Sequence, residues 1–109
     1  MKIVKYKLLQ KQISENDIKR QVKQYLDLKG WFNFPLTAGL CSFPGLPDRL
    51  AVKNGKTLYL EIKRPKMKLS KHQQKFQENM KRENAEYYVI YNLEDLIEVL
   101  RKKVKNYNV

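Results

Sequence analysis

Residues 47–63, which read PDRLAVKNGKTLYLEIK, decide how this chain folds. Two runs of β-type residues flank the pair Asn54-Gly55, and Asn-Gly between alternating apolar residues is the strongest short-range signal for a two-residue type I′ hairpin. Such a turn sets Lys53 opposite Lys56 and fixes the register of the whole ladder. Residues whose numbers sum to 109 therefore face each other across the two strands.

The predicted register brings two acidic residues together. Asp48 and Glu61 face each other, and in a ladder without a bulge their carboxylates share one face, with Cβ atoms roughly 4.5 to 5.5 Å apart. Lys63 lies two residues beyond Glu61 and therefore projects from the same face. A bulge near Asp48 would instead turn its carboxylate to the other face.

Two opposed carboxylates predict a bound cation. Like charges set directly opposite each other destabilise a sheet, and a cation removes that cost. Mg²⁺ prefers oxygen ligands, commonly takes one or two carboxylates, and leaves positions for water and substrate phosphate. We therefore expect Asp48 and Glu61 to bind Mg²⁺ or Mn²⁺, with Lys63 orienting an attacking water or stabilising charge on the phosphate.

The same residues resemble the motif of the PD-(D/E)xK nuclease superfamily. Pro47-Asp48 is followed by Glu61-Ile62-Lys63, in which Glu61 comes 13 residues after Asp48. Further pieces in the same order narrow the resemblance to the virus-type replication-repair nuclease (VRR-NUC) domain, over about residues 14 to 100. These pieces are Ser14-Glu15, Tyr25-Leu26 with Gly30-Trp31, Gly45-Leu46-Pro47-Asp48, Glu61-Ile62-Lys63-Arg64-Pro65, and Leu69-Ser70 with Gln73 and Phe76.

The resemblance implies a fold and a set of site residues. The implied fold is α/β, with a restriction-endonuclease-like αβββαβ core, a mixed central sheet flanked by helices, and a C-terminal helix. The implied catalytic residues are Asp48, Glu61, Lys63 and Gln73. The implied ligands of one or two Mg²⁺ or Mn²⁺ ions are Asp48, Glu61, the backbone carbonyl of Ile62, and Glu15.

Two of these residues also have a purely structural interpretation. Glu15 lies in the first turn of a predicted helix, where an acid complements the helix dipole. Gln73 completes a capping box with Ser70, in which its side chain accepts a hydrogen bond from the Ser70 backbone N–H. We do not expect one glutamine side chain to serve both the cap and the active centre.

Patterns along the rest of the chain predict the element order α-β-β-β-α-β-α. Residues 2–9 are predicted as an edge strand or a dimer arm, and residues 86–91 as an interior strand. The other predicted elements are a helix over about 15–29, a strand over 31–35, a loop over 36–46, the hairpin, a helix over about 71–83, and a helix over 93–104 that begins after a cap at Asn92.

The composition fits one basic domain over residues 1–109 that binds nucleic acid. Lys and Arg number 23 against 11 Asp and Glu, which gives a net charge of +12 and a pI near 9.8. Such a charge favours a polyanionic partner. From Lys63 to Arg82 there are eight basic residues and one acid, which is either a solvated surface or a surface for DNA. The predicted nucleic-acid contacts are Arg64, Lys66, Lys68, Lys71, Gly39 and Gly45.

Other features bear on where the protein works. No apolar run approaches the roughly 20 residues that span a bilayer, and lysines interrupt the first residues where a secretory signal would be apolar. Cys41 and His72 are the only cysteine and the only histidine, too few for a usual zinc site. We expect an intracellular, reduced protein in the cytoplasm, and the viral members of the resembled family add a virus-infected host cell as a setting.

Three functions follow as hypotheses. The first is a metal-dependent DNA endonuclease; the resemblance to small viral domains, which share their architecture with Holliday-junction resolvases, implies branched DNA as substrate and a homodimer as the assembly. The second is a basic nucleic-acid-binding module without catalysis, which gains nothing from opposed carboxylates near phosphate. The third is a restriction-type endonuclease on linear duplex, which the lack of a separate recognition domain disfavours.

Overall fold

The computed structural model describes residues 13–37, 39 and 41–107. Its elements follow the predicted order and form an α/β fold with a four-stranded mixed sheet, which confirms the predicted fold class. The predicted arm at residues 2–9 lies outside the described residues. The elements are α1 (Glu15–Leu28), β1 (Phe32–Pro35), β2 (Arg49–Lys53), β3 (Lys56–Ile62), α2 (Lys71–Arg82), β4 (Tyr87–Ile90) and α3 (Leu93–Tyr107).

The hairpin has the register that its turn predicts. β2 and β3 pair antiparallel from Lys53 opposite Lys56 to Arg49 opposite Leu60, without a bulge. Asn54 has φ 50° and Gly55 has φ 79°, the two left-handed conformations that a type I′ turn requires. Local turn chemistry therefore fixes the centre of the sheet.

The strand order in the sheet is β1-β2-β3-β4, with β1 antiparallel to β2 and β4 parallel to β3. Among the residues that the structure describes, β4 is thus an outer strand, which differs from the prediction of an interior strand at residues 86–91. Its residues are apolar because helices contact it: both α2 and α3 pack on β4. Helix cover, rather than a strand on either side, explains its composition.

The main core lies between the sheet and the helices α1 and α3. Ile18, Val22 and Leu26 recur at helical spacing on α1 and are fully buried. α1 begins at a capping box, in which the Ser14 side chain accepts a hydrogen bond from the Asp17 N–H and the Asp17 carboxylate accepts one from the Ser14 N–H. The other buried apolar residues are Trp31, Ala51, Leu58, Leu60, Ile62, Ile90, Leu96 and Leu100.

The second face of the sheet is covered only in part. Side chains alternate along a strand, so Tyr59 and Glu61 project away from the core that contains Leu58 and Leu60. Helix α2 covers this face near β4, where the rings of Phe76 and Tyr87 lie 6.0 Å apart.

Toward β1 the described part of the chain leaves the second face open. Phe34 lies opposite Leu50, which lies opposite Tyr59, so Phe34 and Phe32 project from the same face as Glu61. The two rings lie 5.6 Å apart, and the residues are 37% and 68% exposed respectively. The described residues therefore leave an aromatic surface, formed by Phe32 and Phe34, exposed on the same sheet face as Glu61.

Within the described part of the chain, no helix has the length and apolar character needed to cross a membrane. The last helix runs to Tyr107, three residues beyond its predicted end.

Candidate active site

The side chain of Asp48 accepts the hydrogen bond that follows the last backbone pair of the β2–β3 ladder. Its backbone lies just before β2, and its carbonyl accepts a hydrogen bond from Leu36 N–H at 2.9 Å. Its Oδ2 accepts one from Ile62 N–H at 2.7 Å. Because the N–H and C=O of one strand residue point toward the same neighbour, the Ile62 carbonyl lies on the Asp48 side of β3. The carboxylate and this carbonyl are thus brought together at the open end of the hairpin.

Glu61 is a buried acid next to Asp48. It is 2% exposed, and its Oε1 atom is buried without a hydrogen-bond donor. Burial, and then the neighbouring Asp48 carboxylate, raise the pKa of Glu61 from 4.5 to about 9. Without a cation, Glu61 therefore retains a proton at neutral pH.

Gln73 contacts both the helix cap and Glu61. Its Oε1 accepts a hydrogen bond from Ser70 N–H at 2.8 Å, and its Nε2 lies 3.5 Å from Glu61 Oε2. The expectation that one side chain could not serve both was wrong, because the amide has two polar atoms and the cap uses only its oxygen. The capping box orients the amide nitrogen toward the buried acid.

Lys19 is a site residue that the sequence analysis missed. Its Nζ lies 3.3 Å from Asp48 Oδ1 and 3.5 Å from Glu15 Oε2, so one ammonium bridges two acids. Burial by itself lowers the pKa of Lys19, but the charges of Asp48 and Glu15 outweigh it, and the pKa lies above its usual value. The available signal was its spacing: Lys19 follows Glu15 by four residues and so lies on the same face of the helix.

Glu15 has the helix-dipole position that one of its interpretations requires, and it also lies near the carboxylate pair. It is the first residue of α1, where an acid complements the helix dipole. Through Lys19 it is also linked to Asp48, and its negative charge contributes to the raised pKa of Glu61, after burial and Asp48.

Lys63 lies at the end of β3, on the Glu61 side of the sheet. Its backbone N–H donates to the Ile90 carbonyl at 3.0 Å, which extends the parallel pairing with β4 by one step. Its positive charge opposes the rise in the pKa of Glu61, a rise that burial causes first. The three residues of the predicted motif are therefore close enough to interact.

Tyr87 is the second site neighbour that the sequence analysis missed. Its hydroxyl is buried without a hydrogen-bond partner. Burial, followed by the charges of Glu61 and Asp48, raises the pKa of the Tyr87 phenol. Its place depends on the parallel pairing of Tyr87 with Tyr59, and no local pattern in the sequence fixes that register.

The predicted nucleic-acid residues differ in their surroundings. The side chains of Arg64, Lys66, Lys68 and Lys71 are exposed, as expected for phosphate contacts. Gly45 has φ 81°, and a Cβ there would lie 2.2 Å from the His72 carbonyl oxygen. The close approach that Gly45 permits is therefore to the first turn of α2. At Gly39 a Cβ would meet open space.

The residues of this site fit a divalent cation. Among the residues described, no three His, Cys, Asp or Glu side chains gather into a full metal cage. Two carboxylates and a backbone carbonyl, with water completing the shell, are the kind of set that Mg²⁺ accepts. A cation would also balance Glu61 Oε1, a buried acidic oxygen that receives no hydrogen bond.

The fold and this arrangement define a class. A mixed sheet in αβββαβ order, with two acids and a lysine at the open end of its central hairpin, is consistent with a restriction-endonuclease-like core. A solved structure titled "VRR_NUC domain" matches the chain with a TM-score of 0.70 at 20% identity, covering 80% of this chain and 94% of that one. The chain thus has the fold of a VRR-NUC domain, which confirms the resemblance drawn from the motifs. No family model matches the sequence, and no curated protein matches it either.

Proposed function

We propose that this chain is a metal-dependent endonuclease that hydrolyses phosphodiester bonds in DNA. The nuclease fold supports this proposal, and the observation that carries it is the buried Glu61 set beside Asp48 at the open end of the hairpin. A stable fold gains nothing from a buried acidic oxygen without a donor, because such a group loses its hydration. A catalytic centre that takes up a cation gives this arrangement a purpose.

The residues have distinct tasks in this reaction. Asp48, Glu61 and the Ile62 carbonyl would hold Mg²⁺ or Mn²⁺, which when bound supplies a Lewis acid for the phosphate and lowers the pKa of water. Lys63 orients the attacking water. The water oxygen forms a bond to phosphorus, the bond from phosphorus to the leaving oxygen breaks, and one proton passes from the water to solvent while the leaving oxygen takes up another.

Two further residues position these groups. Gln73 holds Glu61 through its amide nitrogen and is itself fixed by the Ser70 cap. Glu15 contributes from α1 by pairing with Lys19, whose ammonium also pairs with Asp48. Their effects on the reaction act through the carboxylate pair rather than through contact with DNA.

The basic segment after β3 is the proposed contact with the DNA backbone. An open surface groove of about 540 Å³ is lined by residues 65–69, Gln74 and Tyr91, and it includes Lys66 and Lys68. Arg64 and Lys71 lie on either side of this segment in the chain and are exposed. Such contacts position DNA without reading its sequence, and they weaken as the salt concentration rises.

Branched DNA is the substrate we propose. The aromatic surface of Phe32 and Phe34 is exposed on the same sheet face as Glu61. Unpaired bases stack on exposed aromatic rings, whereas paired bases inside a linear duplex cannot reach them. The branch point of a junction interrupts the continuous stack and exposes base faces next to the strands that are cut, so Phe34→Ala should reduce cleavage of a junction more than cleavage of a duplex.

A homodimer is the assembly we propose. The described residues form one carboxylate site, and cutting two strands of a junction in a paired manner needs two. Light scattering coupled to size exclusion measures the mass directly, with 13.1 kDa expected for one copy. We assign the activity to the interior of a cell, including one infected by a virus, where such junctions arise.

The test is cleavage of a labelled four-way junction beside the matching linear duplex, with Mg²⁺, Mn²⁺ or EDTA. We expect metal-dependent cutting of the junction that is lost in Asp48→Asn and Lys63→Ala. Binding without cutting under either metal would leave a basic nucleic-acid-binding module, and equal or sequence-dependent cutting of the duplex would favour a restriction-type enzyme.

A further inference from the structure

The position of Lys19 bears on how many metal ions the site takes. Its ammonium nitrogen lies 3.3 Å from Asp48 Oδ1 and 3.5 Å from Glu15 Oε2. The other oxygen of Asp48, Oδ2, is hydrogen-bonded to Ile62 N–H. The Lys19 ammonium therefore already balances the charge at Asp48 Oδ1, the oxygen that it shares with no backbone donor in the described structure.

A second metal ion would need these same oxygens. In two-metal sites the ions lie about 3.5 to 4 Å apart and share a bridging carboxylate. Here the bridging acid is Asp48, and the outer ligand available on α1 is Glu15. Lys19 lies one helical turn from Glu15, so its ammonium is held between the two acids by the helix itself.

We propose that Lys19 occupies the place of a second metal ion, so that the site binds one divalent cation per chain. This inference rests on the proposed metal site at Asp48 and Glu61. Lys19 acts as a charge-balancing and positioning residue, and its side chain is 39% exposed, which lets a phosphate reach it. The chain thereby supplies one of the two cations that a two-metal nuclease takes from solution.

The experiment counts Mn²⁺ ions bound to the full chain in the absence of DNA, by calorimetry and by electron paramagnetic resonance of free Mn²⁺. We expect one ion in the wild type and one in Lys19→Arg, which retains the charge. In Lys19→Met we expect two ions, with the first bound about tenfold more tightly, because a neighbouring positive charge has been removed.

Lys23→Met is the matched control. Lys23 lies one turn later on the same helix and pairs with Asp27 at 2.9 Å, so its substitution should leave the count at one. Thermal melts of each variant check folding. Lys19 is partly exposed, so its substitution should leave the folded state intact.

Two ions in the wild type would overturn the proposal, as would a count and affinity unchanged in Lys19→Met. A chain that binds no Mn²⁺ in any variant would overturn it together with the proposed metal site. Binding of one ion without cleavage of any DNA would contradict the nuclease while the assignment of Lys19 stands, so the two failures are distinguishable.

Discussion

Both ends of the central hairpin bring like charges together, but the two ends differ in how those charges are paired. At the closed end Lys53 lies opposite Lys56 in the ladder, and just beyond the open end the carboxylates of Asp48 and Glu61 lie close enough to interact. Lys53 donates to the Lys29 carbonyl at 2.7 Å, and Lys56 pairs with Glu86 at 3.3 Å. The like charges of the closed end are therefore each satisfied within the protein.

The open end is satisfied only in part. Asp48 has Lys19 and the Ile62 amide, but Glu61 is buried and its Oε1 receives no hydrogen bond. Opposed like charges therefore do not by themselves indicate a metal site. A site is indicated where burial prevents water from satisfying them and the fold provides no partner.

The largest expected effect is on the cleavage rate, from substitutions at the open end of the hairpin. Glu61→Gln and Asp48→Asn should reduce metal-dependent cleavage at least about 100-fold, because each removes a ligand charge while preserving shape. Lys53→Gln at the closed end is the matched control and should change the rate less than about twofold. Junction cleavage under single-turnover conditions measures both, and a comparable loss in Lys53→Gln would remove the distinction between the two ends.

The second effect concerns the pH dependence of metal binding. Glu61 must lose the proton that its pKa of about 9 retains, so Mn²⁺ affinity should rise as pH increases toward 9, by up to about tenfold per pH unit. Calorimetry in buffers of different ionisation enthalpy should detect release of about one proton at pH 7. An affinity that is flat from pH 6 to 8 would contradict a protonated Glu61.

The third effect is on stability without metal. The pKa of Glu61 is 4.5 in an ordinary setting and about 9 in the folded chain, so between these values the folded state holds a proton that the unfolded state has released. The free energy of unfolding should therefore fall as pH rises through this window, by up to about 1.4 kcal/mol per unit.

Glu61→Gln has no such proton and should lose less stability than the wild type between pH 6 and 9. Urea unfolding at several pH values measures the difference between the two chains. Parallel profiles for the two would show that Glu61 does not titrate in this range.

The smallest effect belongs to the closed end. Lys56→Gln removes a partly exposed ion pair with Glu86, and such pairs contribute less than about 1 kcal/mol. We expect a change of that size in the free energy of unfolding and none in metal binding. A loss of Mn²⁺ affinity in Lys56→Gln would mean that the two ends are coupled.

The sequence predicts the hairpin well because its information is local. Asn54-Gly55 fixes the turn, the turn fixes the register, and the register sets Asp48 and Glu61 together without any knowledge of the rest of the chain. The caps at Ser14 and Ser70 are local in the same sense, and α1 and α2 begin directly after them.

The remaining parts of the site depend on contacts between distant segments. Lys19 reaches Asp48 only because α1 packs on the sheet, and Tyr87 approaches Glu61 only because β4 pairs parallel with β3. The outer place of β4 in the described structure differs from the prediction because helix cover and sheet interior produce the same apolar pattern. The expectation that Gln73 could not contact both the cap and Glu61 failed because its amide has two polar atoms. The oxygen accepts from the Ser70 N–H, and the nitrogen lies near Glu61.

Anomalous diffraction from crystals soaked in Mn²⁺ tests the central claim most directly. We expect one strong peak per chain in contact with the carboxylates of Asp48 and Glu61, with Lys19 still beside Glu15. No peak at that position, in crystals where Mn²⁺ is found elsewhere on the chain, would contradict the claim that the open end of the hairpin is a metal-dependent catalytic centre.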